Sequence, residues 1–357
     1  MLQIKNEQLK AARRSIESIL TTIPGVTLDW NTYFRNEQPV LTNFADFTVT
    51  VKTEHRADTL VVEFKPQGHP RQLREAIDRL LRIRHRSNRA DYLVVAAPFI
   101  TSEGAKVCEE ENVGYYDLAG NCRLVFGNYF VERNGRPNPF RKDHVGASNL
   151  YGPKSERVLR VLFDGQEWKV VPLAKRARVS TGTVSIVRNL LLEREWAREG
   201  SGGLTLTEPQ KLLTDWAAVW KRRRETPKTY FTLAPLAEIE TAMAKFADQH
   251  HAQFALTGAA GAWRVAPMTR YNRTQVYWEG DPEQLAAGVG LKPADTGANV
   301  HVFAPRDDGV FFGQQIVEGA PIVSALQLYL DLQRDPARGE EAAEHIWNVS
   351  LFPPHAG

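Results

Sequence analysis

Residues 59 to 68 read TLVVEFKPQG, an apolar, strand-forming run that carries Glu63 and Lys65 two positions apart. A strand's period of two puts both side chains on one face. Charged side chains are rarely fully buried unless paired. An acid and an amine side by side in such a strand read as a phosphodiester-cleaving site, the remains of one, or a surface salt bridge. What decides is the set of elements around them.

The chain has 357 residues, which suggests two or three domains at roughly 100–200 residues each. Hydrophobic residues make up 43% and charged residues 24%, the balance of an ordinary globular protein. No apolar run approaches the ~20 residues that span a bilayer. The charged start MLQIKNEQLKAARRSIESIL lacks a signal peptide's apolar stretch. Cys108 and Cys122 form no metal or redox spacing. A membrane-free, cytoplasmic protein is therefore expected.

The net charge of +3 hides an asymmetry. Residues 229–357 hold 8 Lys+Arg against 15 Asp+Glu, a net of −7, so residues 1–228 carry +10. The basic part is suited to nucleic acid, and the acidic third would be repelled by phosphate.

In the N-terminal third, residues 6–22 have the spacing of an amphipathic helix, with Leu9, Ile16, Ile19 and Leu20 near one face. NFADFTVTV and TLVVEFK read as the strands of a hairpin. The stretch HPRQLREAIDRLLRIRHR reads as a helix, DYLVVAAP as a buried strand, SEGAKVCEEENVG as a short helix and GYYDLAG as a further strand and turn. This order resembles the restriction-endonuclease-like core of the PD-(D/E)XK superfamily. Asp46 lies on the earlier strand, and Glu63-Phe64-Lys65 supplies the E-x-K. Glu17 sits in the first helix, where many members carry an additional acid. Gln72 sits in the helix after the E-x-K, where some branches carry a glutamine.

The resemblance implies a catalytic set of Asp46, Glu63, Lys65 and Gln72. It also implies hard oxygen ligands for Mg²⁺ from Asp46, Glu63 and Glu17. The metal would activate water and neutralise charge developing on phosphate. Lys65 would position the water or stabilise the transition state. The site permits cleavage without requiring it, because many chains with this core only bind DNA or a partner. The helix after the E-x-K and its end carry seven arginines, among them Arg71, Arg74, Arg79 and Arg82, against Glu75 and Asp78. Such a surface faces phosphate or is simply solvated.

Residues 136–153, rich in Asn, Gly and Pro, read as a linker. Three amphipathic helices follow in KSERVLRVLFDGQEWKVVPLAKRARVSTGTVSIVRNLLLERE, and WAREGSGGLTLTEP reads as two strands around a glycine-rich tip. This segment resembles a winged helix-turn-helix. The geometry of that fold sends the third helix into the major groove by its N-terminal residues. Ser180, with Thr181, Thr183 and Ser185, offers short donors and acceptors, and Arg188 reaches farther to phosphate or guanine. Lys175, Arg176 and Arg178 flank the turn. Residues 154–224 hold 15 basic and 8 acidic residues. The next helix, PQKLLTDWAAVWKRRRETPK, ends in a basic run, Lys221 to Arg224, that reads as a solvated helix end.

From Thr229 onward helices and strands alternate. LAEIETAMAKFADQHH and PEQLAAGVG read as helices, TQVYWEG, NVHVFAP and GVFFGQQIVEG as strands, AQFALTGAAGAWRVAP as a strand with a glycine turn, and PIVSALQLYLDLQRDPARGEEAAEHIW as helical. The phrases ALTGAAG, GANVHVFAP, GVFFG, VSALQLYLDL and ARGEEAAEHI resemble the C-terminal part of AbiEi-type antitoxins of type IV toxin–antitoxin systems. That family joins a winged helix to a domain similar to minimal nucleotidyltransferases. An active member needs carboxylates on the strand after a Gly-Ser-type turn. Here Thr257-Gly258 makes the turn, but TQVYW follows with no acid, which implies a non-catalytic, degenerate domain.

The fold class is therefore multidomain α/β. A PD-(D/E)XK-like core spans 1–135, the linker 136–153, the winged helix 154–227 and the AbiEi-type domain 228–357. The leading functional expectation is a duplex-DNA-binding regulator of the antitoxin type, with a cognate toxin or a second copy as partner of the acidic domain. The second is a Mg²⁺-dependent deoxyribonuclease targeted by the winged helix, in defence or mobile-element biology. The third is neutralisation of a toxin by direct contact.

Overall fold

The computed structural model describes residues 2–30, 45–87, 91–139, 150–267, 271–335 and 339–353. Arg89, residues 140–149 of the linker, the first two residues of NFADFTVTV and the first two of ARGEEAAEHI lie outside them. The chain forms two compact units, Met1–His144 with Asn189–Glu195, and Val145–Arg188 with Trp196–Gly357. No helix among the described residues is long and apolar enough to cross a membrane.

The first unit is a sheet covered on both faces. Its elements run α1 (Leu2–Leu20), β1 (Thr27–Asp29), β2 (Phe47–Lys52), β3 (Ala57–Phe64), α2 (Pro70–Ser87), β4 (Tyr92–Ala97), α3 (Ser102–Glu110), β5 (Gly114–Asp117), β6 (Cys122–Phe126) and β7 (Tyr129–Arg133). The strands lie side by side in chain order. β2 and β3 are antiparallel, with Phe47 opposite Val62, as the hairpin reading expects. β3, β4 and β5 are parallel, and parallel neighbours require crossovers of the kind α2 and α3 provide.

The two-residue period of β3 sorts the unit into two cores. Leu60, Val62 and Phe64 pack with Ala12, Ile16, Ile19 and Leu20 of α1. Val61 packs with Leu73, Ile77 and Leu80 of α2, Leu93 and Val95 of β4, and Val107 of α3. Glu63 shares the parity of Val61, so β3 turns it toward α2 and away from α1. Thr101 caps α3, its Oγ1 accepting from Gly104 N at 3.1 Å. The β6–β7 hairpin, CRLVFGNYFVER, turns on Gly127 and Asn128, with Phe126 opposite Tyr129. It extends the sheet beyond the strand and turn read from GYYDLAG. A Gly-Asn pair between strand-forming runs is the signal that marks it.

The second unit begins with α4 (Pro153–Leu162), α5 (Val170–Ala177), α6 (Thr181–Glu193), β8 (Ala197–Gly200), β9 (Gly203–Leu206) and α7 (Pro209–Lys221). The end of α6, from Asn189, belongs to the first unit. Trp168 pairs with Leu204 of β9 as an isolated antiparallel bridge. Gly203 has φ +129°, and a Cβ there would stand 2.3 Å from the Trp168 carbonyl, so only glycine admits this close approach.

The remainder is β10 (Lys228–Phe231), α8 (Leu236–Gln249), β11 (Phe254–Thr257), α9 (Gly258–Val265), β12 (Thr274–Trp278), α10 (Pro282–Val289), β13 (Lys292–Pro293), β14 (Val300–Phe303), β15 (Gln315–Val317), β16 (Ala320–Ile322), α11 (Ala325–Leu332) and α12 (Gly339–Ile346). The sheet order is β13-β10-β14-β12-β11-β16-β15. GAAGAWRV, read as a glycine turn, is the helix α9. Its small residues admit close packing, Gly261 lying under Leu328 of α11. GVFFGQQIVEG, read as one strand, divides into a 3-10 turn at Asp308–Phe311 and β15.

In this unit α4 is tied by polar contacts to the turn after β14 and to α11. Arg157 donates from Nε and Nη2 to Asp307 Oδ1 and Oδ2 at 2.6 and 2.8 Å. Arg160 Nη2 donates to Gln327 Oε1 at 2.5 Å. Gln327 Nε2 passes the contact to Asp331 Oδ1 at 2.8 Å. Asp331 also accepts from Trp220 Nε1, Tyr277 OH and Thr257 Oγ1, and so closes a network from α4 to the Thr257-Gly258 turn. The basic run at the end of α7 is not uniformly solvated. Arg223 stacks on the Trp220 ring at 4.3 Å and its guanidinium donates to Glu156 and to the Tyr151 carbonyl.

Candidate functional site

Two groups of side chains stand out, one in each unit. In the first, Glu63 is 2% exposed at the end of β3. Its Oε1 accepts from Arg79 Nη1 at 2.9 Å, and Lys65 Nζ lies 3.3 Å from the same oxygen. Glu63 Oε2 is buried and makes no hydrogen bond. Asp46 enters from the chain before β2, its Oδ2 accepting from Phe64 N at 2.9 Å. Burial pushes the Glu63 carboxyl above its ordinary value, and the Asp46 charge adds to that. Lys65 and Arg79 pull it back.

The pairing of Glu63 with Lys65 is thus a buried charge cluster rather than a solvent-exposed bridge. Gln72 sits on α2 two helical turns before Arg79, and its Oε1 is buried without a hydrogen-bond partner. Glu17 is exposed on α1, whose apolar residues pack on the opposite sheet face from Glu63. Asp46, Glu63 and Lys65 are brought together, and Glu17 stands apart from them. Arg79, one of seven similar arginines in the sequence, is the group that reaches the carboxylate. A position 14 residues after Lys65, inside a basic helix, gives no local signal that would single it out.

The oxygen donors fit a hard cation in part. Two carboxylates with an orphaned oxygen suit Mg²⁺, which takes one or two carboxylates and completes its shell with water and phosphate. The two cations on Glu63 Oε1 oppose it. Among the described residues no group of three or more His, Cys, Asp or Glu side chains is gathered as a metal set.

The second group lines the exposed start of α6. Val184, Val187 and Leu191 are buried, so the helix shows Thr181, Ser185 and Arg188 along its other side at spacings of four and three. Thr183 N donates to Ser180 Oγ at 3.2 Å, which makes Ser180 the N-terminal cap. Its hydroxyl lies 3.0 Å from that of Thr183. Ser185 Oγ donates to the Thr181 carbonyl at 3.0 Å. Lys175 and Arg176 at the end of α5 are exposed. Arg178 closes α5 in the left-handed region, φ 53°, with its guanidinium 5.7 Å from the Phe312 ring. On α2 of the other unit, Arg71, Arg74 and Arg82 are exposed, and Arg71 Nε is 3.5 Å from Glu75 Oε1.

Arg188 is engaged. Its Nε donates to Glu199 Oε1 on β8 at 2.8 Å, and its Nη2 donates to Glu199 Oε2. Each partner stabilises the other's charged form, raising Arg188 and lowering Glu199 from their ordinary values through that hydrogen bond. Glu199 carries no sequence signal of its own, being one acid in a hairpin read as a wing. Its strand parity is the clue. Ala197 is buried, and residue 199 shares its face of β8.

Residues 205–351, from within β9 to just past α12, match the family described as transcriptional regulator, AbiEi antitoxin, type IV toxin–antitoxin system. No curated protein and no solved structure matches the chain.

Proposed function

We propose that the chain is a duplex-DNA-binding regulator of the AbiEi antitoxin type, and that α4 through β9 form a winged helix. One observation carries this reading. α6 presents a capped, polar N-terminal stretch, with Ser180 and Thr181 exposed and Thr183 and Ser185 half-buried, followed by Arg188 and preceded by the exposed Lys175 and Arg176. That is what a recognition helix needs, short groups near base edges and cations placed for phosphate. β8 and β9 supply the wing. The family match over residues 205–351 supports the regulatory role and a cognate toxin as partner of the acidic part. The arginines of α2 add phosphate contacts.

The test is binding of the full chain to duplex DNA across a salt series. Log affinity should fall linearly with log salt, by about 0.9 per phosphate contacted. An affinity that is undetectable at low salt, or flat with salt, would overturn the reading.

A second reading is favoured by the buried, unpartnered Glu63 Oε2 and Gln72 Oε1. In it the first unit has the PD-(D/E)XK fold and cleaves DNA. Asp46 and Glu63 would hold Mg²⁺, with Glu17 excluded from the set by its place on the other face. When bound, the metal supplies activation of water and charge neutralisation at phosphate. Lys65 would hold a proton-bearing nitrogen beside Glu63 and orient the attacking water. Arg79 would fix the Glu63 carboxylate. Incubation of the full chain with Mg²⁺ or Mn²⁺ on single-stranded, duplex and branched DNA tests it. Cleavage that survives Asp46→Ala and Lys65→Ala would remove this site from consideration.

A further inference from the structure

We infer that Glu199 holds Arg188 in reserve, so that Arg188 reaches DNA only by exchanging a carboxylate for an acceptor on the duplex. The inference rests on the DNA-binding reading of α6. An acid on a surface meant for phosphate is costly unless it has a task, since like charges repel at this range. Glu199 stands on β8 with a side chain 41% exposed, and it takes both Nε and Nη2 of Arg188, whose side chain is 29% exposed. The fork-to-fork geometry fixes both members and directs two parallel hydrogen bonds. The β8 parity that buries Ala197 aims Glu199 at α6, so the contact is built into the hairpin. Arg188 shares its side of α6 with Thr181 and Ser185, the stretch that leads into the groove.

The exchange has an energetic consequence. Two acceptors on the duplex, the free oxygens of one phosphate or the O6 and N7 edge of guanine, can replace the two hydrogen bonds that Glu199 gives. Arg188 therefore contributes to DNA binding only the difference between those acceptors and Glu199. Substituting Glu199 by an uncharged residue releases Arg188 to any phosphate.

The test uses the full chain in four forms, wild type, Glu199→Gln, Arg188→Gln and the double variant, each titrated with duplex DNA of random sequence over a salt series. Release of one charge-assisted contact predicts that Glu199→Gln tightens binding about tenfold. The salt slope should steepen by about 0.9. In the Arg188→Gln background the same substitution should change affinity less than about twofold, because no arginine remains to release. An equal gain in both backgrounds means that Glu199 acts by general repulsion and overturns the inference. Weaker binding by Glu199→Gln overturns it too, because Glu199 would then be a brace for Arg188. Absence of binding by the wild type is a different failure, that of the DNA-binding reading itself. Thermal melting of all four forms verifies folding, and an exposed pair of this kind should leave it nearly unchanged.

Discussion

Glu63 Oε1 is shared by Lys65 Nζ, 3.3 Å away, and Arg79 Nη1, 2.9 Å away, while Oε2 of the same carboxylate has no partner. Two cations on one oxygen compensate the charge but leave the other oxygen desolvated. The folded-state pKa of Glu63 therefore lies above its ordinary 4.5. The sign follows from linkage. A carboxyl with a raised folded pKa is protonated more readily in the folded chain, so the cost of ionising it is absent below 4.5 and is complete above the folded pKa. Glu63→Gln removes that cost. Chemical denaturation across a pH series should show the variant gaining on the wild type as pH rises above 4.5. A difference that stays constant with pH would mean that Glu63 is not desolvated as its burial indicates.

The exposed Lys175 and Arg176 belong to a different kind of interaction. Neither lies on the N-terminal face of α6 that would read bases, so their effect should not depend on sequence. Lys175→Gln with Arg176→Gln should weaken binding to all duplexes alike and lower the salt slope by about 0.9 for each phosphate left without its cation. Fluorescence anisotropy on two unrelated duplexes is sufficient. A weakening confined to one sequence would reassign these residues to base reading.

How far the sequence disclosed this depends on whether the signal was local. The parity of TLVVEFK is local, and it puts Glu63 and Lys65 on one face, where they meet. Capping at Ser180 is local too, and it is as the pattern implies. Arg79, Glu199 and Arg223 are held through partners 16, 11 and 67 residues away, and no local pattern pairs the two members. Glu17 shows the converse. Its helix is read correctly, but which sheet face that helix covers is decided by the packing of Ile16, Ile19 and Leu20. GAAGAWRV failed for a further reason. Glycine argues for a turn, yet close packing against Leu328 of α11 and Gln275 of β12 selects small residues in a helix.

Cys108 and Cys122 give a prediction about chemistry rather than binding. Both are free and buried. Burial pushes the Cys108 thiol up to about 12 and raises that of Cys122 as well. The thiolate is the reactive form, so neither should react with a thiol reagent in the native protein at neutral pH. Both should react after unfolding. Rapid native labelling of either would show that its environment opens.

Arg157 and Asp307 join α4 to the turn after β14 through two hydrogen bonds of 2.6 and 2.8 Å, with side chains only 17% and 18% exposed. Asp307 also accepts from Gly309 N at 2.8 Å, which fixes the turn that carries it. Removing one member leaves the other charge poorly solvated, so Arg157→Ala and Asp307→Ala should each cost about 2–4 kcal/mol. The double variant should cost less than the sum, because the stranded charge is gone, with a coupling of about 1–3 kcal/mol. Denaturant unfolding of all four forms measures it. The same ion pair bears on where the chain can be cut. A fragment ending near residue 228 would keep Arg157, Arg160 and Trp220 but lack Asp307, Gln327 and Asp331, their partners across the unit. Such a fragment should unfold at lower denaturant than the full chain, and weak DNA binding by it would reflect that instability rather than the make-up of α6. Additive costs in the double variant would instead show that Arg157 and Asp307 are not energetically coupled.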